Sequence, residues 1–223
     1  MKLSFPAISM RSCLLALASV LILPMPASYA DTFTLSADLT GALEVPPTGS
    51  AGTGQATVIL NTTANTMEVR ETFTGLDPFI PGTTTPSGTT ASHIHCCLPS
   101  PFLTGDNVMV ATTTPTFPGF PLGVTAGSYS MTFNLLDAGT YNPAFITSGM
   151  FNPSGTVQGA ETALVTALLA GETYINIHST EFPGGEIRGF LAVPGPIAGA
   201  GLPGVILACG ILLILARRRQ QIA

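Results

Sequence analysis

Charged side chains are scarce in this chain, and positive charge is almost absent from its central part. Only 9% of the 223 residues are charged. Residues 31–193 carry all twelve carboxylates but no lysine, and their two cations are Arg70 and Arg188. Such a body repels a phosphate backbone or an anionic membrane surface. The composition therefore excludes nucleic acid as a partner, while an apolar content of 46% excludes a disordered chain.

The signatures of several common enzyme classes are also missing. The sequence has no Gly-x-Ser-x-Gly elbow, no phosphate-binding glycine loop before a helix, and no His-Glu-x-x-His motif. Nothing singles out two of the twelve acids as a pair for glycosidic cleavage. The sequence therefore predicts a non-enzymatic role, although it leaves the question of catalysis open.

Cysteine is scarce as well. Two of the four cysteines fall in terminal hydrophobic segments, which leaves the neighbours Cys96 and Cys97 in the body. Two cysteines cannot build a disulfide framework. A bond between neighbours is disfavoured, because Cα atoms across a trans peptide lie ~3.8 Å apart and ordinary disulfides need at least ~4.4 Å. Four states stay open: reduced thiols, metal ligands, a strained pair, or bonds to another chain.

Residues 1–30 have the three parts of a secretory signal peptide. Two positive charges lie near the start, residues 13–23 are an apolar run, and a small-x-small cleavage site ends at Ala30. The apolar run rises about 16 Å as a helix, which is too short to cross hydrocarbon. We therefore expect cleavage between Ala30 and Asp31; an uncleaved anchor is the alternative.

The C-terminal segment, residues 194–223, contains a candidate membrane helix. Residues 197–216 are twenty uncharged positions, long enough to span a bilayer, and three arginines follow at 217–219. Such a cluster stays on the cytoplasmic side, so the body is predicted to face outward. The short motif before the span is formed by Val193, Pro194, Gly195 and Pro196.

This motif, the hydrophobic span and the arginine cluster together resemble the PEP-CTERM sorting signal of Gram-negative bacteria. The usual motif is of the Val-Pro-Glu-Pro type, so Gly195 departs from it. The resemblance implies export through the inner membrane by the secretion machinery, and then cleavage near the motif by an exosortase-type enzyme. The body would then reach the cell surface or the extracellular polymer layer. A permanent anchor that faces the periplasm is the alternative.

The body, residues 31–193, has β-sheet composition. Thirty of its residues are threonine, and glycine and proline separate short apolar runs. A helix is predicted at 159–170, with Glu161 in its first turn and Gly171 at its end. Segments 77–91 and 99–127 are expected to be long surface loops, where binding sites are common. Strands are predicted at 33–39, 54–61, 67–76, 92–98, 108–112, 128–135, 174–179 and 186–193.

Eight strands and one short helix, without alternation of strands and helices, predict an all-β sandwich. Residues 34–47, the segment His93-Ile94-His95, and residues 167–179 and 183–189 resemble the CHRD domain first described in chordin. The resemblance covers about residues 32–192. It implies an immunoglobulin-like or superoxide-dismutase-like β-sandwich, and no established activity.

All three histidines of the body fall in predicted strands. The strand period places His93 and His95 on one face, together with Cys97 if the strand continues. His178 lies on a later strand, on the face opposite two isoleucines, so the imidazoles should face solvent or a polar cleft. If the two strands are neighbours, the three imidazoles form a site for Cu or Zn, with Cys97 as a less favoured fourth ligand. The alternative is a set of hydrogen-bonded surface histidines.

An H-x-H pair followed by a Gly-x-Arg-Gly-like segment is similar to part of the copper/zinc superoxide dismutase pattern. That enzyme uses six histidines and an aspartate for two metals, so three histidines exclude a dinuclear site. A mononuclear site with an open position remains, with Arg188 as a nearby cation to attract a small anion. Otherwise Arg188 and Arg70 are expected to neutralise nearby carboxylates, such as Glu186 and Glu68.

Two functions are compatible with these features. The first is a structural or adhesive module at the cell surface or in the extracellular matrix, with extracellular polysaccharide or surface proteins as partners. An acidic, lysine-free, threonine-rich surface suits such a hydrated exterior part. The alternative is an extracytoplasmic domain that binds one Cu or Zn ion, with a redox role, through His93, His95 and His178.

Overall fold

The computed structural model describes residues 32–80, 82–97 and 107–193. The predicted signal peptide, the cleavage site at Ala30 and Asp31, the sorting motif beyond Val193, the membrane helix at 197–216 and the arginine tail all lie outside these ranges. Within the described ranges, no helix combines the length and the apolar character needed to cross a bilayer.

Seven antiparallel strands confirm that the body is predominantly β. The strands are β1 (Thr32–Thr40), β2 (Thr53–Asn61), β3 (Thr66–Thr74), β4 (Thr89–Cys96), β5 (Gly127–Asn134), β6 (Thr173–Ser179) and β7 (Ile187–Phe190). Two 3-10 turns (Gly41–Leu43 and Ala138–Thr140) and two helices, α1 (Pro143–Ile146) and α2 (Val157–Ala170), complete the fold.

The strands form one sheet in the order β4-β6-β7-β1-β2-β3-β5, whereas the sequence predicted two stacked sheets. The halves join where β1 meets β7, through the pair Thr40 and Arg188. The sheet is curled: β4 and β3 stand first and sixth in the order, yet Ser92 Oγ donates to Glu71 Oε1 across 2.8 Å. In a flat sheet, with strands ~4.8 Å apart, these residues would be separated by more than ~20 Å.

The inside of the curl is the hydrophobic core. Strands β1, β2 and β3 alternate between buried and exposed residues, as the sequence predicts for β1. Their buried side chains meet the isoleucines of β4 and β6, and helix α2 contributes Leu164 and Leu168 to the same cluster. The core thereby fixes which face of β4 and β6 points inward, and so which face carries the histidines.

Helix α2 begins two residues before its predicted start. Thr156 Oγ1 accepts a hydrogen bond from Gly159 N and caps the helix, so Glu161 lies beyond the first turn where the sequence placed it. Its end is as predicted: Gly171 has a left-handed φ of 71°. The single-turn helix α1 was not predicted; Asn142 caps it and Pro143 occupies its first position.

The strand predicted at 108–112 is absent, and irregular chain lies there along the outer edge of β4. Cys96 N donates to Met109 O and Ala111 N donates to Ile94 O, at 3.1 and 2.9 Å. Only an isolated bridge joins Val110 to the strand. This segment leads into the proline-rich stretch 115–121, whose prolines cannot donate to a ladder. The edge of β4 is therefore covered by a loop that brings backbone carbonyls close to the histidines.

Candidate metal centre

The register of two neighbouring strands brings the three histidines together. Strands β4 and β6 pair antiparallel, with His93 opposite Asn176 and His178 opposite Ala91. His178 is thus a diagonal neighbour of His93, and His95 follows two residues along the same face of β4. One ring nitrogen from each histidine lies within 4.8 Å of the other two. The convergence that the sequence made conditional on neighbouring strands is present.

The cluster is more enclosed than the sequence suggested. His93 and His95 are 7% and 8% exposed, and His178 is partly buried. The rings pack against one another, with centroids 5.1 Å apart for His93 and His178. The groups that cover the histidines come from the 107–116 segment and from the turn at Pro183. Strand periodicity cannot predict these contacts, because they come from loops.

Each imidazole is anchored by a backbone carbonyl through one of its two nitrogens. The contacts are His93 Nε2 to Pro115 O at 2.5 Å, His95 Nδ1 to Val108 O at 2.7 Å and His178 Nδ1 to Pro183 O at 2.8 Å. A carbonyl oxygen can only accept, so the anchored nitrogens carry the protons and the opposite nitrogens carry lone pairs. Metal-binding histidines are held in this way, because the second hydrogen bond fixes both tautomer and orientation.

The lone-pair nitrogens have few partners of their own. His93 Nδ1 and His95 Nε2 are buried and make no hydrogen bond within the described part of the chain. The third, His178 Nε2, lies 3.1 Å from Asn176 Oδ1. Leaving buried polar atoms unsatisfied costs about 1–3 kcal/mol each. A cation shared by the three nitrogens would remove this cost.

Burial keeps the three rings neutral. Desolvation lowers the pKa of His93 to about 4 and that of His95 to about 3, against the opposing effect of their carbonyl partners. Desolvation lowers the pKa of His178 too. All three are therefore unprotonated at pH 7, which is the form that binds a metal ion.

Arg188 lies behind the site rather than at an open position beside it. Its Cζ is 3.5 Å from the ring centroid of Tyr174, and the ring of His95 stacks on Tyr174 at 4.4 Å. Because β6 lies between β4 and β7, the guanidinium and the imidazole approach Tyr174 from opposite sides. The anion-attracting role expected from the sequence therefore does not fit the geometry; the guanidinium supports Tyr174 and donates to Asn107 Oδ1 at 3.2 Å.

The two arginines of the body differ in their carboxylate neighbours. Arg70 forms the expected ion pair with Glu68, at 2.7 Å on the exposed surface. The carboxylate of Glu186 accepts hydrogen bonds from Ser50 Oγ and Asp77 N, at 2.6 and 2.7 Å.

Glu44 and Asn176 extend the polar cluster, and sequence reasoning gave neither of them a part in the metal site. Asn176 Nδ2 donates to Glu44 Oε1 at 3.4 Å, and both residues are buried. Desolvation raises the pKa of Glu44 to about 7, while Asn176 and the charge of Arg188 oppose the shift. The strand period places Asn176 on the face of His178, two residues before it, and this spacing is the local signal for a shared site. Glu44 follows β1 in the other half of the sheet, so no local pattern links it to the histidines.

Cys97 does not join the histidines. It is bonded to Cys96 in a disulfide, with a cis peptide between them and Cα atoms 3.1 Å apart. The distance argument from a trans peptide therefore does not apply, and of the four states left open the structure has the bonded pair. A disulfide sulfur is not a thiolate, so Cys97 is not a fourth metal ligand in this state.

Comparison with known proteins identifies the family. No curated protein and no solved structure shows significant similarity to this chain. The model of the CHRD domain matches residues 35–191, a span that contains all seven strands apart from the first residues of β1 and includes the three histidines and Arg188. The chain therefore belongs to the CHRD domain family.

Proposed function

We propose that this CHRD domain binds a single Cu or Zn ion through His93, His95 and His178. The observation that supports the proposal is the combination of three histidines whose ring nitrogens lie within 4.8 Å of one another with a backbone carbonyl contact at one nitrogen of each ring. Hydrogen-bonded surface histidines, the alternative considered from the sequence, do not need this burial or this shared orientation. Neutral imidazoles suit Zn and Cu in particular.

The domain acts outside the cytosol. Its leader-like residues 1–30 and its tail at 194–223 support export and exosortase-type processing in a Gram-negative cell, where the body serves at the surface or in the extracellular matrix. Intact mass of the cell-associated protein tests this step, because removal of the tail lowers the mass by roughly 3 kDa. An unprocessed chain recovered from the cytosol would contradict it.

A structural or adhesive role is the second candidate, and the exposed side of the sheet favours it. Hydroxyl side chains lie next to one another across β2, β3 and β5, as in the pairs Thr53 with Thr74 and Thr72 with Ser128. Extracellular polysaccharide or surface proteins are the corresponding partners. Such a role needs no metal, so a measurement of bound metal distinguishes the two candidate functions.

Metal content is the decisive measurement. The protein is purified without a histidine tag, its bound metal is determined by elemental analysis, and Zn²⁺ and Cu²⁺ are titrated calorimetrically. We expect one equivalent per chain in the wild type. His95→Ala and His178→Ala should each remove it, because two imidazoles hold a metal ion much more weakly than three.

Tyr174→Phe is the matched control for these variants. It keeps the ring that stacks on His95 and removes only a hydroxyl that donates to Val108 O across 3.4 Å. We expect it to retain the metal. A folded wild-type protein that is free of metal and indifferent to added copper and zinc would overturn the proposal.

A further inference from the structure

Asn176 lies at the side of the cluster that the three histidines leave free. It stands opposite His93 in the ladder between β4 and β6, and it is 2% exposed. Its Oδ1 lies 3.1 Å from His178 Nε2, the nitrogen that carries the lone pair. Asn176 thus presents an oxygen to the same space as the ring nitrogens.

The spacing fits the edge of a tetrahedral coordination shell. Zinc binds nitrogen at about 2.0–2.1 Å and oxygen at about 2.0–2.2 Å, so neighbouring ligand atoms around one ion lie ~3.3 Å apart. The separation of 3.1 Å between Asn176 Oδ1 and His178 Nε2 is close to this value. An ion bound by both atoms would lie off the line that joins them, at ~2 Å from each.

The position of the proton on His178 also favours a cation beside Asn176. A neutral imidazole has one N–H, and His178 has an acceptor at each nitrogen: Pro183 O at Nδ1 and Asn176 Oδ1 at Nε2. With the proton at Nδ1, a lone pair of Nε2 faces a lone pair of Oδ1. A cation bound by both atoms would accept both lone pairs and remove their repulsion.

Glu44 fixes the direction of the amide. Asn176 Nδ2 donates to Glu44 Oε1, and this contact turns the oxygen end of the amide toward the histidines. Glu44 is itself 4% exposed and comes from the loop after β1. A buried carboxylate that orients a coordinating side chain is a common second layer of a metal site.

We propose that Asn176 Oδ1 is the fourth ligand of the metal ion, and that Glu44 is a positioning residue acting through Asn176. This inference rests on the proposed function. Three imidazoles and one amide oxygen include no soft donor, because Cys97 is held in a disulfide. The site therefore takes a divalent ion, Zn²⁺ or Cu²⁺, in preference to Cu⁺.

The test uses Co²⁺ bound to the full-length protein as a spectroscopic probe of coordination. Asn176→Ala should change the visible absorption of bound Co²⁺ and weaken Zn²⁺ binding by about 10- to 100-fold. Asn176→Asp keeps an oxygen at the same place and adds charge, so it should bind Zn²⁺ at least as tightly as the wild type. Asn142→Ala, which removes an amide that caps helix α1, is the control and should leave the spectrum unchanged.

The role of Glu44 is tested by rescue. Glu44→Ala should weaken Zn²⁺ binding and alter the Co²⁺ spectrum, whereas Glu44→Gln keeps an acceptor for Asn176 Nδ2 and should restore both. A merely structural role would lower the stability of Glu44→Ala without this rescue of the spectrum.

The outcomes separate this inference from the proposed function. If the histidine variants lose the metal while folded Asn176→Ala keeps the wild-type spectrum and affinity, the fourth ligand is wrong and the three-histidine site stands. If Asn176→Ala does not fold, an Asn176→Asp protein with weakened Zn²⁺ binding overturns the inference instead. A wild-type protein that binds no metal overturns both proposals.

Discussion

The two halves of the sheet, which meet between β1 and β7, differ in how much of their surface is exposed to solvent. Strands β1, β2, β3 and β5 bury alternate residues and expose the others, whereas β4, β6 and β7 are buried on both faces along most of their length. In the first half, polar side chains other than Glu71 lie mostly in solvent, where they need no protein partner. In the second half they must satisfy one another, and there His178 and Asn176 form a connected cluster with Glu44, which comes from the loop after β1.

The difference arises from long loops rather than from the strands themselves. The segment 107–124 covers the edge of β4, and the turn at Pro183 and the loop after β1 close over the neighbouring strands. Each of these segments contributes a carbonyl or a carboxylate to the cluster. Polar contacts are concentrated where loops cover a polar face of the sheet. Removal of water from such a place strengthens each electrostatic interaction and hydrogen bond that remains.

Arg188→Ala should have the largest effect on stability. Arg188 is fully buried, lies over the rings of Tyr174 and Phe190, and supplies the positive charge near the buried Glu44. Truncating a large buried side chain to alanine costs about 2–5 kcal/mol, and the loss of the cation–π contacts adds to it. Urea denaturation should therefore show a large fall in the free energy of unfolding.

Arg70→Ala is the matched control from the exposed half. Arg70 forms its ion pair with Glu68 in solvent, so its loss should leave the urea midpoint unchanged within error. Arg188→Lys keeps the charge without the planar group and should fall between the wild type and Arg188→Ala. Equal midpoints for the two alanine variants would show that the halves do not differ energetically as described.

Glu71→Gln should have a smaller effect, and one that depends on pH. Glu71 lies on the buried side of β3, and burial raises its pKa from 4.5 to about 8, against the hydrogen bond from Ser92. The folded state therefore holds its proton more tightly than the unfolded state. The contribution of Glu71 to the free energy of unfolding should be greatest below pH 4.5 and fall as the pH rises toward 8, by at most about 5 kcal/mol.

The glutamine variant removes this contribution because it stays neutral. We expect it to unfold at a higher urea concentration than the wild type at pH 8, and at a similar one at pH 4.5. Glu68→Gln, on the exposed side of the same strand, should leave the slope of stability against pH between these values intact. A difference in stability between the wild type and Glu71→Gln that stays constant from pH 4.5 to 8 would contradict the burial of a carboxyl group at this position.

Local patterns predicted the elements well. The strand predicted at 33–39 corresponds to β1, those predicted at 54–61 and 67–76 correspond to the paired strands β2 and β3, and Gly171 ended helix α2. The failures have local causes too. Segment 108–112 has strand composition, but the proline-rich chain that follows prevents a regular ladder, and the cap at Thr156 moved the start of α2.

The sequence by itself determined which residues share a strand face, because side-chain direction follows from a period of two within a single segment. It thereby placed His93 with His95, and His178 on the face opposite two isoleucines. Only the tertiary structure decided that β4 lies beside β6, that Arg188 stands behind Tyr174, and that Glu44 and three carbonyls surround the histidines. Strand order and curvature depend on contacts between segments far apart in the chain, and local periodicity carries no information about those contacts.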